Sequence, residues 1–179
     1  RAKDAPADEA SRREYCGYVG SLLQRFPTVN DVVIWNEPNS NDFWQPQFRG
    51  GASAAPAAYG ALLATCWDTL HGLRPGVNLL SSTSSSGNDK AFAVSNAGHS
   101  PGTFIRRVGT WYRASGRTRP LFDTAGHHPY PANAAERPSA RHSSSKTIGQ
   151  GDLDKLTAAL KEAFSGTAQP LPKVWYMEN

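Results

Sequence analysis

The chain has 179 residues, 39% hydrophobic and 10% aromatic, enough for one domain with a sizeable core. A net charge of +4 and an isoelectric point near 9.2 leave room for a polyanionic partner. However, no zinc-finger, RNP or P-loop pattern accompanies the charge. Much of the excess sits in Arg106, Arg107, Arg113, Arg117 and Arg119, the pattern of a solvated helix face and the loop after it, so no nucleic-acid partner is expected. No apolar run approaches the roughly 20 residues of a membrane span, so no membrane partner is expected either. No signal peptide is visible and the chain opens on Arg1, so the native start is expected to lie upstream.

Helical periodicity comes first, over residues 7–26. Tyr15, Val19, Leu22, Leu23 and Phe26 share one face, and Pro27 ends the pattern. Residues 31–35, Asp-Val-Val-Ile-Trp, form a short apolar run that predicts a buried strand. A second helix is predicted over 56–73, with Tyr59, Leu62, Leu63, Cys66, Trp67, Leu70 and Leu73 as its stripe and Pro75-Gly76 as its end. A strand follows at 77–80. The third helix is announced by Ser100 with Pro101 at its first position, and its apolar face is Phe104, Ile105, Val108, Trp111 and Tyr112. A strand at 121–125 leads into Gly-His-His-Pro-Tyr-Pro. Asp152 is a candidate N-cap for a fourth helix ending at Gly166, and the last strand is 173–177.

Strands alternating with amphipathic helices imply a parallel α/β sheet with right-handed crossovers. Two architectures qualify: a doubly wound sheet and a (β/α)8 TIM barrel. The first usually carries a glycine-rich phosphate turn after an early strand, and none is present. Two long connections, 81–99 and 132–151, follow predicted strands at the ends where parallel α/β proteins build active sites. Cys16 and Cys66 are the two cysteines, both in predicted helices. Buried free thiols are the first expectation, a bridge between neighbouring helices the second.

Of the six glutamates, Glu9, Glu14 and Glu162 lie on predicted helices and Glu136 in a polar loop. Only Glu37 and Glu178 close predicted strands. In a parallel sheet closed into a barrel, both would enter the same mouth. Two carboxylates at one small site suit glycosidic-bond chemistry, one protonating the leaving oxygen and the other attacking the anomeric carbon or activating water. A His127–His128 metal pair lacks a third ligand of credible spacing, so no metal is expected. The serines at 81–86 lack a nucleophile elbow.

Trp-Asn-Glu-Pro-Asn at 35–39, with a strand-end glutamate far downstream, resembles clan A glycoside hydrolases, which are TIM barrels. The resemblance implies Glu37 as acid/base, Glu178 as nucleophile and Asn36 as a hydrogen-bond partner of the sugar 2-hydroxyl. His128-Pro129-Tyr130 resembles the clan's His-x-Tyr. Tyr130 would then orient the nucleophile and hold it ionised, while His128, or His127 in its place, would line the reacting sugar's subsite. Trp44 is the best candidate for a stacking platform, with packing under its own loop as the alternative. Trp35 and Trp175 are expected in the core or beside the site, Trp67 and Trp111 in the core.

Together the motifs resemble family 39 and, close behind, family 5. They imply a retaining glycosidase acting on an oligosaccharide or glycoside without metal or organic cofactor. A non-catalytic carbohydrate-binding protein on the same barrel is the alternative. The match runs from about helix 3 to strand 7 of the barrel. Strands 1–3 and 8 lie outside it, as do the clan's strand-two arginine and strand-eight aromatic. Residues 1–179 are therefore expected to be a partial catalytic domain, one that folds poorly by itself and has little or no activity.

Overall fold

In the computed structural model, which describes residues 4–91 and 98–178, the predicted alternation becomes one sheet and its helices. Helix α1 is Glu9–Arg25, and it begins where Asp8 Oδ1 accepts a hydrogen bond from the Ser11 N–H at 2.9 Å. Strand β1 is Asp31–Val33. A short antiparallel hairpin follows, β2 (Phe48–Arg49) and β3 (Ala52–Ser53). Then come α2 (Ala55–Leu73), β4 (Asn78–Ser81), α3 (Pro101–Ala114), β5 (Thr124–His127), a 3-10 turn at Gln150–Asp152, α4 (Leu153–Phe164) and β6 (Lys173–Tyr176).

The main sheet has the order β1-β4-β5-β6, every neighbour parallel. Each crossover carries one helix. Helices α1 and α2, α2 and α3, and α3 and α4 pack side by side, which puts them in one layer. Tyr59, Leu62, Leu63 and Leu70 of α2, Phe104 and Tyr112 of α3, and Leu156 and Leu160 of α4 form the core with Leu79 and Leu121. Gly109 permits the α3–α4 contact, because a Cβ there would lie 2.4 Å from the Ala163 carbonyl oxygen.

The third strand of the sheet starts three residues later than its apolar run. Gln169 intercepts that run, with Oε1 accepting from the Leu121 N–H at 2.7 Å and Nε2 donating to the Phe122 carbonyl at 3.0 Å. Asp123 then uses its side chain as a rung, Oδ2 accepting from the Leu79 N–H at 2.8 Å. The hairpin has no counterpart among the predicted elements. Gly50 and Gly51 form its turn with φ of 56° and 82°, the backbone that a two-residue turn requires and glycine adopts freely.

Cys16 and Cys66 are disulfide-bonded, with Cα atoms 4.9 Å apart. This corrects the expectation of free thiols. Both residues face the α1–α2 contact, where Gly20 lets the helices approach: a Cβ at that position would lie 2.7 Å from Leu73 Cδ1.

The arginine cluster is largely engaged within the chain. Arg117 grips Asp68 with two nitrogens at 3.0 and 2.8 Å, Arg119 joins the same carboxylate at 3.0 Å, and Arg106 pairs with Glu162 at 2.6 Å. Among the described residues no helix is long and apolar enough to cross a membrane. At the β1 edge Leu22, Phe26, Val29 and Val33 are exposed and border a shallow apolar groove. At the β6 edge Trp175 is 42% exposed, so it is not part of the core.

Candidate active site

The C-terminal end of β1 turns sharply. Trp35 and Glu37 sit at φ of 62° and 39°, left-handed backbone that costs a non-glycine residue about 1–3 kcal/mol unless its surroundings enforce it. Several bonds do. The Trp35 N–H donates to the Tyr15 hydroxyl at 3.3 Å and its indole N–H to the Phe43 carbonyl at 2.7 Å. The Glu37 N–H donates to Ser82 Oγ at 3.1 Å, and its carbonyl accepts from the Ser40 N–H at 2.8 Å. The segment is thereby bolted to the end of β4.

Asn39 adds a second bolt. It is fully buried, accepts from the Ser84 N–H at 2.8 Å, and donates to Ser84 Oγ at 2.8 Å and the His99 carbonyl at 3.0 Å. Motif reasoning alone misses this role. The signal is available in the serine run directly after a predicted strand. Asn36, between the two left-handed residues, is partly exposed, and among the described residues its side chain has no hydrogen-bond partner.

At the end of β5 the two histidines face opposite ways, as neighbours on an extended strand should. His127 is buried. Its Nε2–H donates to the Ile148 carbonyl at 2.8 Å, which fixes Nδ1 as acceptor from the Thr83 hydroxyl at 2.9 Å. Burial pulls its pKa down to about 4, so it stays neutral near pH 7. His128 faces the other side, with Nδ1 2.9 Å from Glu37 Oε1 and 3.4 Å from Glu178 Oε2. Of the two, His128 is the one at the carboxylates.

Just beyond β6, Glu178 completes the group. The Tyr130 hydroxyl donates to Glu178 Oε2 at 2.6 Å. That bond raises the tyrosine pKa, with burial and the charges of Glu178 and Glu37 adding to it. The side chain of Glu37 is 12% exposed and that of Glu178 51%. One ligand-type atom from each of Glu37, His128 and Glu178 lies within 4.8 Å of the others. The sheet thus brings together residues 141 positions apart in the chain. It also supplies His128 with the carboxylate companions that sequence spacing did not offer, and these three atoms could hold a divalent cation.

Trp44 is not at the site. It is fully buried, its ring edge-on to Trp35 at 6.1 Å and to Tyr59 at 5.7 Å. The loop after Glu37 curls back, Trp44 N–H donating to the Ser40 carbonyl at 3.0 Å, and carries the ring under itself. This corrects its expected role as an exposed stacking platform.

No protein-family model matches the chain, and no curated protein matches it. The chemistry of the site therefore rests on its own geometry. A polar cavity of about 220 Å³ opens beside Glu37, bordered by Asn41, Ser85, Ser86 and Tyr130. A void of about 20 Å³ between sheet and helices has room for little more than one water.

The loop after Tyr130 is organised by a cluster that no sequence motif announces. Asp152 is fully buried. Instead of capping α4 with its side chain, it takes the Gly149 N–H at 3.1 Å, the His142 ring at 2.7 Å and Lys155 at 3.0 Å. Burial pushes its pKa up, but these bonds outweigh burial and leave it at about 2. Glu136 approaches the other His142 nitrogen at 3.2 Å. The bond to Asp152, assisted by Glu136 and opposed by burial, raises the His142 pKa. Its contribution to stability is fully present below the unfolded value near 6.5 and fades as pH rises through the higher folded value. Chemical denaturation from pH 6 to 9 should show this loss in the wild type and a flatter profile in His142→Gln.

Proposed function

We propose that the protein is a retaining glycoside hydrolase acting on β-glycosidic bonds by double displacement, with its four parallel strands belonging to a (β/α)8 barrel. The observation that carries this reading is the convergence of Glu37 and Glu178 from distant strand ends, with His128 and Tyr130 between them. One oxygen from each carboxylate falls within 4.8 Å of the other. Retaining enzymes hold their carboxyl groups about 5–5.5 Å apart and inverting enzymes roughly 6.5–9.5 Å, to leave room for water. The spacing here suits direct attack.

In the first step Glu37 gives its proton to the leaving oxygen while Glu178 attacks the anomeric carbon, forming a glycosyl ester. In the second, Glu37 takes a proton from water, which attacks the same carbon and releases the sugar. Tyr130 holds the attacking carboxylate in line through its 2.6 Å bond, and Asn36 is free to meet the 2-hydroxyl. The mechanism needs no cofactor. The barrel reading draws on the sequential strand order and the single helix layer, since a doubly wound sheet splits its helices between two faces.

The test is product stereochemistry. The protein expressed from its whole gene should release the β-anomer first from a β-glycoside, as followed by proton NMR, with or without a chelator. Release of the α-anomer refutes retention, and loss of turnover on chelation refutes the metal-free mechanism. Sugar binding with no turnover of any glycoside would favour a non-catalytic carbohydrate-binding protein. Tyr130→Phe should lower kcat about tenfold, a modest figure because the pair is exposed to water. An unchanged kcat would remove Tyr130 from the mechanism.

A further inference from the structure

We propose that the polar cavity beside Glu37 is the subsite for the leaving group, and that it takes a neutral, hydroxyl-rich one: a second sugar ring rather than an aromatic or alkyl aglycone. The inference rests on the glycosidase reading above, which fixes what each carboxylate does. A general acid must stand next to the leaving oxygen. Glu37 borders the cavity and Glu178 does not. The cavity therefore lies on the departing side of the scissile bond.

Its lining decides what can sit there. Asn39 and Ser84 also border it, but they are spent on each other and on backbone groups. Three side chains are not spent: among the described residues the Asn41 amide and the Ser85 and Ser86 hydroxyls have no hydrogen-bond partner. Together they offer donors and acceptors from two loops, the one after β1 and the one after β4. A hydroxyl-rich ring would satisfy them. A flat apolar group would cover them and leave their hydrogen-bonding capacity unmet, which disfavours its binding. Among the described residues no lysine, arginine or aspartate borders the cavity, so none of them compensates a charged leaving group. A volume of about 220 Å³ suits a single ring, being below the roughly 300–1,000 Å³ of drug-sized sites.

The experiment compares cellobiose and xylobiose with the 4-nitrophenyl β-glycosides of the same glycones, in wild type, Asn41→Ala, Ser85→Ala and Ser86→Ala. Ser86 is exposed, so its variant guards against a folding defect at Ser85. The expected result is a kcat/KM that falls at least tenfold more on the disaccharide than on the nitrophenyl glycoside. Equal falls on both substrates, or turnover of nitrophenyl glycosides alone by the wild type, would overturn the subsite and leave the hydrolase reading standing. Calorimetry on Glu178→Gln separates the two ideas if nothing is hydrolysed. Disaccharide binding that weakens with Asn41→Ala keeps the cavity as a saccharide site and sinks the hydrolase. No binding at all overturns both.

Discussion

Glu37→Gln is expected to cut turnover of a β-glycoside with a poor leaving group by about 10²–10⁴-fold, the range of a positioned general acid. Glutamine keeps the shape of the side chain and can still meet His128, but it has no proton to give. The loss should shrink when the leaving group departs without help, as nitrophenolate does. Glu178→Gln should abolish turnover of both substrate kinds, because no covalent intermediate forms. Azide separates the roles more sharply. In Glu37→Ala it can attack the glycosyl ester from the face that the acid has vacated, giving a β-glycosyl azide. In Glu178→Ala it enters from the opposite face and gives the α-anomer. Equal losses on both substrate kinds for both variants, or the opposite pairing of variant and anomer, would overturn Glu37 as acid/base and Glu178 as nucleophile.

Reducing the Cys16–Cys66 bridge is expected to cost about 4 kcal/mol, from the closure of a loop with a sequence separation of 50. For a chain of this size that corresponds to a fall in Tm of about 8–16 °C. Thermal unfolding with and without reductant measures it, with Cys16→Ala/Cys66→Ala as the control that reductant should not shift further. An unchanged Tm would mean that helix packing alone holds α1 on α2. The bridge also bears on where the chain matures, since such bonds persist in oxidising compartments.

The helices were legible because their signals are local. Pro27, Pro75-Gly76 and Ser100-Pro101 punctuate stripes of period 3.6, and α2 and α3 lie where those marks put them. The strands were legible as apolar runs, but their bounds were not. Leu121 and Phe122 satisfy the same hydrophobic rule whether they pair in the sheet or pack beside Gln169, and only a residue 48 positions away decides. The site was legible in its charged members, because a carboxylate at the end of an apolar strand stands out. Its supports were not. Asn39, Ser82 and Thr83 are ordinary polar residues whose meaning appears only once β1, β4 and β5 lie side by side. Trp44 failed for a related reason: an indole reads the same in sequence whether it faces a sugar or fills a core. The Asp152 cluster was hidden because its members span a loop without periodicity.

The left-handed backbone at position 37 sets ease of folding against the carboxylate it carries. Glycine occupies φ of 39° without steric penalty, and asparagine does so more easily than glutamate. Glu37→Gly would therefore ease the backbone and at the same time remove the only carboxylate that His128 Nδ1 meets at 2.9 Å, so any gain in folding would come with the loss of that contact.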